Sequence, residues 1–170
     1  MSSGILVLGG TRSGKSQVAL RRAEAIVGER AAYVATARVG DGEWGERIAR
    51  HQAERPRGWL TVEAAEDPIA GVASVPADRL VLLDSLGLWV SSLVERTAPL
   101  DANWLNLAMA LQMRRAGWIL VSDEVGLAPV ALTSLGRRFV DALGWTNQRA
   151  AELADEVVLV VAGIGLRIKP

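Results

Sequence analysis

The sequence contains no cysteine, one histidine and only two lysines among its 170 residues. Without cysteine the chain has no disulfide, no thiol nucleophile and no cysteine-based metal site. The single histidine, His51, excludes a metal site built from several histidines. The two lysines, Lys15 and Lys169, stand against seventeen arginines, so an ammonium group is expected to be needed where a lysine is kept.

Long hydrophobic runs and an excess of one charge are also missing. The apolar runs at 5–8, 80–83 and 157–161 have the length of strands, far below the roughly 20 residues that a bilayer requires, so no membrane span is predicted. Nineteen basic residues balance nineteen acidic ones, which argues against binding to nucleic acid through bulk charge. The start, Met1-Ser2-Ser3-Gly4, lacks the features of a signal peptide, so the expected compartment is the cytoplasm.

The order of apolar runs predicts the fold class. Half of the residues are hydrophobic, enough for the core of one domain over 1–170. Continuous apolar runs predict buried strands at 5–8, 32–36, 80–83, 118–122 and 156–161, with a last short strand at 166–169. Helical patterns occur at 16–27, 43–54, 86–96, 101–115 and 135–154, and 67–78 is predicted as a short helix and loop. This alternation predicts an α/β fold, a mostly parallel sheet with helices on both faces.

A phosphate-binding motif follows the first predicted strand and opens the first predicted helix. It matches the pattern G-x-x-x-x-G-K-[ST] and consists of Gly9, Gly10, Thr11, Arg12, Ser13, Gly14, Lys15 and Ser16. The glycines let main-chain N–H groups surround phosphate oxygens, Lys15 reaches the β- and γ-phosphates, and the Ser16 hydroxyl binds Mg²⁺. The alternative is a glycine-rich turn before a helix, which the scarcity of lysine disfavours. The motif therefore predicts a nucleotide-binding P-loop.

A carboxylate ends the predicted strand at 80–83. Asp84 stands where a P-loop protein holds a water molecule of the nucleotide's Mg²⁺, and this is its expected role. A helix cap is the alternative, because many buried strands end in aspartate for that reason.

Because the chain has only two lysines, regulatory GTPases are disfavoured among P-loop proteins. An Asn-Lys-x-Asp element, which reads guanine in regulatory GTPases, cannot be formed around Lys15 or Lys169. No basic stripe marks a motor on nucleic acid. The sequence favours a small NTP-dependent enzyme, most simply a phosphotransferase; a nucleotide-dependent regulatory or assembly module is the alternative from another class.

The only histidine lies on the predicted helix 43–54. His51 shares one face of that helix with Trp44 and Ile48, and arginines at positions 47, 50 and 55 surround it. Their positive charge disfavours the imidazolium form and keeps a neutral nucleophile available. The alternative is a structural histidine on an amphipathic helix.

Several blocks of sequence carry a family resemblance over nearly the whole chain. Besides the P-loop they include Tyr33-Val34-Ala35-Thr36-Ala37, Arg47-Ile48-Ala49-Arg50-His51, Leu83-Asp84-Ser85-Leu86-Gly87-Leu88-Trp89, Asn147-Gln148 and Ala154-Asp155-Glu156-Val157. In this order they resemble the bifunctional cobinamide kinase/cobinamide-phosphate guanylyltransferase family (CobU/CobP type).

The resemblance implies a RecA-like P-loop fold, a homotrimer and two reactions of cobalamin biosynthesis. In the first, ATP or GTP phosphorylates adenosylcobinamide. In the second, GTP guanylylates His51, and the GMP passes to adenosylcobinamide phosphate, giving adenosylcobinamide-GDP and pyrophosphate. Contacts to GTP, or to its Mg²⁺ through Ser16 and Asp84, are implied for the P-loop and for Ala35, Thr36, Ala37, Gln52, Ala53, Glu54, Arg55, Glu63 and Asp84.

Two questions stay open at the level of sequence. The general base of the kinase step has three candidates, Glu63, Asp123 and Glu124, each of which can equally be a helix cap or part of a structural ion pair. The alternative function is that of a different, monofunctional P-loop kinase of small molecules, in which His51 is structural.

Overall fold

The computed structural model describes residues 3–37 and 58–170. Within them seven strands form one sheet: β1 (Gly4–Gly9), β2 (Ala31–Ala35), β3 (Leu60–Glu63), β4 (Leu80–Asp84), β5 (Trp118–Asp123), β6 (Glu156–Val161) and β7 (Ile164–Lys169). The helices of the same residues are α1 (Lys15–Val27), α2 (Pro68–Ser74), α3 (Leu86–Glu95), α4 (Leu100–Gln112) and α5 (Ser134–Leu153). The helix predicted at 43–54 lies outside the described residues.

The strands lie in the order β3-β2-β4-β5-β1-β6-β7, and only β7 is antiparallel to its neighbour. Strand β1 lies inside the sheet, with β5 on one side and β6 on the other, in a register that places Gly9 opposite Asp123. Because β1 to β6 run in the same direction, their last residues meet at one edge of the sheet, the carboxyl edge. Their first residues meet at the opposite amino edge.

Helices cover both faces of the sheet, as predicted. On β1, Ile5 and Val7 pack into a core shared with α1, whereas Leu6 and Leu8 pack into the core on the other face, which α2, α3, α4 and α5 cover. Apolar side chains are therefore needed at successive positions of the strand, which explains the continuous apolar runs in the sequence. The predicted α/β class with a mostly parallel sheet is confirmed.

Local signals begin and end the helices. Asp67 caps α2 by accepting a hydrogen bond from the main-chain N–H of Ala70 at 2.9 Å, and Pro68 occupies the first turn. Thr133 caps α5 in the same way, accepting from Gly136 N at 3.0 Å. Helix α1 ends at Gly28, whose N–H donates to Glu24 O at 2.8 Å.

The sequence prediction misses one strand. Strand β3 has only four residues, lies at the end of the sheet and exposes most of its side chains, so it has no apolar run to reveal it. Helix α4 was predicted to extend to residue 115, but it ends at Gln112. Arg114, which follows the helix, is buried. No helix in the described ranges is long and apolar enough to cross a membrane.

Candidate nucleotide site

Predicted site residues from four separate segments meet at the carboxyl edge. The P-loop joins the end of β1 to the start of α1, Ala35 ends β2, Glu63 ends β3 and Asp84 ends β4. Ala35 lies opposite both Glu63 and Asp84 in the register of the parallel strands. One strand, β5, separates Asp84 from β1, so the two strands lie roughly 10 Å apart.

The shape of the P-loop depends on two glycines. Gly14 has φ +88°, a left-handed conformation that L side chains rarely adopt, and it stands immediately before α1. At Gly9 a side chain would place its Cβ 2.4 Å from Ser13 Oγ and 2.8 Å from Val160 O. The main-chain N–H groups of the first turn of α1 have no partners within the helix, and they face the place where phosphates bind in this loop.

The turn between β6 and β7 supports the loop from outside. Gly163 N donates a hydrogen bond to Ser13 O at 2.7 Å. Gly163 also lies close enough to Gly14 that a Cβ on Gly14 would be 3.2 Å from Gly163 Cα. The last hairpin of the chain therefore helps to fix the phosphate loop.

The Lys15 side chain lies inside this loop and has two partners. Its Nζ is 2.6 Å from Asp123 Oδ1, and it donates to Gly10 O at 3.3 Å. The Lys15 side chain is 10% exposed and that of Asp123 is 32% exposed, so the ion pair is partly shielded from water. The ammonium group is thus held at the centre of the loop, where phosphates are expected.

Asp84 and Thr36 connect the ends of β2 and β4. Tyr33 donates its hydroxyl to Asp84 Oδ2 at 2.7 Å. Thr36 Oγ1 donates to Ser85 O at 2.8 Å and accepts from Ser85 N at 2.7 Å, and Thr36 is buried. The Thr36 hydroxyl therefore fixes the strand ends, while Asp84 is oriented by a buried tyrosine.

A cavity opens beside these strand ends, between β3 and α2. Two predicted site residues, Ala37 and Glu63, line it together with Glu66, Asp67 and Ala70. The lining combines small apolar side chains with carboxylates. Carboxylates accept hydrogen bonds from N–H donors, so the cavity suits a group that carries N–H donors.

The donors at the carboxyl edge fit a hydrated Mg²⁺ that arrives with a nucleotide. A carboxylate has about four acceptor positions, so Asp84 keeps capacity for water ligands after accepting from Tyr33. Ser16, in the first turn of α1, supplies a hydroxyl. Residues 3–37 and 58–170 contain no cluster of three acidic or histidine side chains that could hold the ion alone.

Part of the predicted site lies outside the described residues: His51, Gln52, Ala53, Glu54 and Arg55. The candidates for the general base are all described, and their surroundings differ. Asp123 pairs with Lys15, Glu124 Oε1 accepts from Gly126 N at 2.6 Å on the surface, and Glu63 faces the cavity.

The sequence prediction did not identify the residues that orient the carboxylates. Tyr33 reaches Asp84 across 51 positions of sequence. Asn147 donates to the main-chain oxygen of Asp123 at 3.0 Å and accepts from Ser122 Oγ at 2.6 Å. Asn147 was part of a block that carries the family resemblance, and its position as a polar residue on the buried side of an amphipathic helix was a further signal.

A structural neighbour supports the fold assignment. The flagellar accessory protein FlaH of Methanocaldococcus jannaschii superposes with a TM-score of 0.53 at 11% identity, covering 98% of this chain and 78% of FlaH. At this identity the likeness concerns the fold alone.

Sequence relatives cover the chain almost completely. The bifunctional adenosylcobalamin biosynthesis protein CobP of Pseudomonas aeruginosa is 43% identical, over 96% of each chain. The proteins named CobU from Salmonella typhimurium and Escherichia coli are 38% and 36% identical, each over 97% of this chain and 99% of the relative. The family model of cobinamide kinase/cobinamide phosphate guanyltransferase matches residues 5–168. With a P-loop at its carboxyl edge and this match from end to end, the chain belongs to the cobinamide kinase/cobinamide phosphate guanyltransferase family.

Proposed function

We propose that this single domain performs both reactions of cobalamin biosynthesis that the family name describes. It transfers the γ-phosphoryl group of ATP or GTP to the aminopropanol hydroxyl of adenosylcobinamide. It then transfers GMP from GTP to adenosylcobinamide phosphate, releasing pyrophosphate and giving adenosylcobinamide-GDP. The observation that supports this most directly is a complete P-loop with Lys15 at its centre, in a chain that matches the family over residues 5–168.

For the kinase step, the P-loop binds and orients the phosphates. Main-chain N–H groups from Gly10 to Ser16 donate to phosphate oxygens, and Lys15 donates to the β- and γ-phosphates. Ser16 and Asp84 would hold Mg²⁺ together with the phosphates, and the ion would supply positive charge that stabilises the transferred group. The substrate hydroxyl oxygen forms a bond to the γ-phosphorus and gives its proton to a carboxylate base, while the bond between the γ-phosphorus and the β-phosphate oxygen breaks.

For the transferase step, His51 acts as the nucleophile. A neutral imidazole nitrogen forms a bond to the α-phosphorus of GTP, and the bond to the β-phosphate oxygen breaks, so pyrophosphate leaves. A phosphate oxygen of adenosylcobinamide phosphate then attacks the same phosphorus and displaces the imidazole. The GTP is proposed to contact the residues that the family resemblance implies: Ala35, Thr36, Ala37, Gln52, Ala53, Glu54, Arg55 and Glu63.

Intact-protein mass after incubation with Mg²⁺ and GTP tests the proposal. We expect the wild type to gain the mass of one GMP, in a linkage lost in acid and stable in base, because a phosphoramidate has this behaviour. His51→Ala should gain nothing while still binding GTP. Asn106→Ala, on the exposed side of α4, is the matched control and should form the adduct like the wild type.

Two outcomes would contradict the assignment. Transfer of GMP to adenosylcobinamide phosphate that continues undiminished in His51→Ala would remove His51 from the mechanism. A wild type that binds GTP and phosphorylates adenosylcobinamide, yet never forms the adduct, would leave a kinase with a structural His51.

The enzyme is proposed to act as a homotrimer in the cytoplasm, where GTP and ATP are present, without a nucleic-acid partner. The family resemblance suggests the trimer, and exposed apolar side chains on the edge strand β7 support association: Ile164 is 74% exposed, Leu166 62% and Ile168 55%. Light scattering during size-exclusion chromatography measures the mass directly, and a monomer at micromolar concentration would contradict this part of the proposal.

A further inference from the structure

The Lys15 ammonium group lies beside a carboxylate of the protein as well as beside the expected phosphate site. The 2.6 Å contact between Lys15 Nζ and Asp123 Oδ1 gives the ammonium group an anionic partner within the protein. An ammonium group has three N–H donors, and a second one points to Gly10 O. Phosphate oxygens that bind Lys15 must therefore approach to within a few ångströms of the Asp123 carboxylate.

The position of Asp123 is fixed by several independent contacts. It ends β5 directly opposite Gly9 of β1, and Glu124 N donates to Gly9 O at 3.0 Å. Its main-chain oxygen accepts from Asn147 Nδ2 at 3.0 Å. Its side chain also has a shaped place: Gly87 leaves room there, since a Cβ at that position would be 2.6 Å from Asp123 Oδ2. The carboxylate is thus held beside the P-loop by the sheet and by α3.

We propose that Asp123 is a specificity-determining residue that makes the site prefer a nucleotide bound to a divalent cation over the bare nucleotide. Its carboxylate neutralises Lys15, so the P-loop carries less positive charge than its sequence suggests. The phosphates of a bare nucleotide are repelled by Asp123, whereas those of a magnesium-bound nucleotide carry two fewer negative charges and are accepted. The site thereby prefers the form of the nucleotide that is competent for phosphoryl transfer.

The size of the effect follows from Coulomb's law. Two like charges about 5 Å apart at an effective dielectric constant of about 20 interact strongly enough to change affinity by more than tenfold. Asp123 is one-third exposed, which weakens the interaction, so we expect about a tenfold effect on the bare nucleotide. The effect on the magnesium complex should be less than about threefold, since the cation offsets the phosphate charge.

Titration with a fluorescent N-methylanthraniloyl derivative of GTP, once in EDTA and once in millimolar Mg²⁺, tests the proposal. Asp123→Asn keeps the shape of the side chain and removes its charge. We expect it to bind the bare nucleotide about ten times more tightly than the wild type does, and the magnesium complex almost equally. Asp141→Asn, an exposed substitution on α5 with the same change of net charge, should leave both affinities unchanged.

The remaining outcomes overturn the proposal. Weaker binding by Asp123→Asn under both conditions would mean that the carboxylate supports the nucleotide, and an equal gain under both would mean that the cation is not involved. A wild type that binds the nucleotide equally well with and without Mg²⁺ would also overturn it.

The inference rests on the proposed function only in assuming that the site binds a nucleotide, because the titration uses neither adenosylcobinamide nor His51. A missing GMP adduct would therefore leave it standing.

Discussion

The two edges of the sheet each hold a buried cation, and the two cations have different kinds of partner. At the carboxyl edge, Lys15 contacts the carboxylate of Asp123. Near the amino edge, before the start of β5, Arg114 is 5% exposed and donates to main-chain oxygens of Val75 at 2.7 Å and Val72 at 3.4 Å. Its other amino group donates to Pro76 O and, at 3.5 Å, to Arg79 O.

The nature of the partner distinguishes the roles of the two cations. A carboxylate is an anion, and another anion such as a phosphate can compete with it for the same ammonium group. Main-chain oxygens are neutral and fixed by the covalent chain, so they hold a guanidinium group permanently. Burial lowers the pKa of Arg114, and Asp78 partly opposes this effect. Lys15 and Arg114 are thus both buried and both positively charged. Of the two, only Lys15 has a partner that another anion can replace.

The largest effect is expected when the cation of the carboxyl edge is removed. Lys15→Met should reduce phosphoryl transfer about a thousandfold, because the developing phosphate charge loses its ammonium partner. The free energy of unfolding should change by less than about 1 kcal/mol, since Asp123 is exposed enough to be solvated. Steady-state kinetics and urea unfolding measure the two quantities.

Lys169→Met is the matched control, because it removes the only other lysine of the chain. It should leave phosphoryl transfer intact. If Lys15→Met lost stability and activity together, the distinction between the two edges would fail.

The next largest effect is expected at the amino edge. Arg114→Met should lower the free energy of unfolding by about 3 kcal/mol, because it leaves several shielded main-chain oxygens without a donor. The affinity for nucleotide of the folded fraction should be unchanged. Urea unfolding measures the loss.

Arg115→Met is the control for this prediction, since the neighbouring side chain is exposed and the same substitution there should cost less than about 0.5 kcal/mol.

The dependence of stability on pH is a second check on the role of Arg114. Because burial lowers the pKa of Arg114 in the folded state, the folded state releases that proton first, and stability gains from this group only as the pH rises into the alkaline range. Between pH 6 and 9 the wild type and Arg114→Met should therefore differ by a constant amount.

The features that the sequence could predict are those that depend on a short continuous stretch of residues. The P-loop is a continuous run of eight residues whose geometry follows from its own glycines, so Gly14 and Lys15 could be placed without tertiary information. The buried strands were equally accessible, because each is an apolar run. The carboxylate at Asp84 could be predicted for the carboxyl edge because it directly ends such a run.

The partners of these residues could not be predicted, because they depend on strand order and register. Asp123 reaches Lys15 only because β5 lies next to β1 with Gly9 opposite residue 123. Tyr33 reaches Asp84 only because β2 pairs with β4. Strand β3 was missed for the same reason, since its pairing with β2 and not its composition makes it a strand. The sequence shows Asp123 only as a candidate base, and its contact with Lys15 is what points to a role in nucleotide binding.

The smallest of these effects is expected at the second structural cation of the amino edge. Lys169, at the end of β7, donates to Ala154 O at 2.5 Å, Ala151 O at 2.9 Å and Glu152 O at 3.5 Å, and so caps the carboxyl end of α5. Lys169→Met should lower the free energy of unfolding by about 1 kcal/mol, measured by urea unfolding, because the last carbonyls of the helix lose their donor and water can replace it only in part.

Arg167→Met on the same strand is the control for Lys169→Met, because its side chain is exposed and its loss should have little effect on stability. A loss of phosphoryl transfer in Lys169→Met comparable with that in Lys15→Met would contradict the contrast between the edges. In that case the hairpin, whose turn holds Ser13 through Gly163, would transmit changes at the amino edge to the phosphate loop. A loss of stability alone would mean that the two lysines, alike in chemistry, differ in role because one meets an exchangeable carboxylate and the other meets fixed carbonyls.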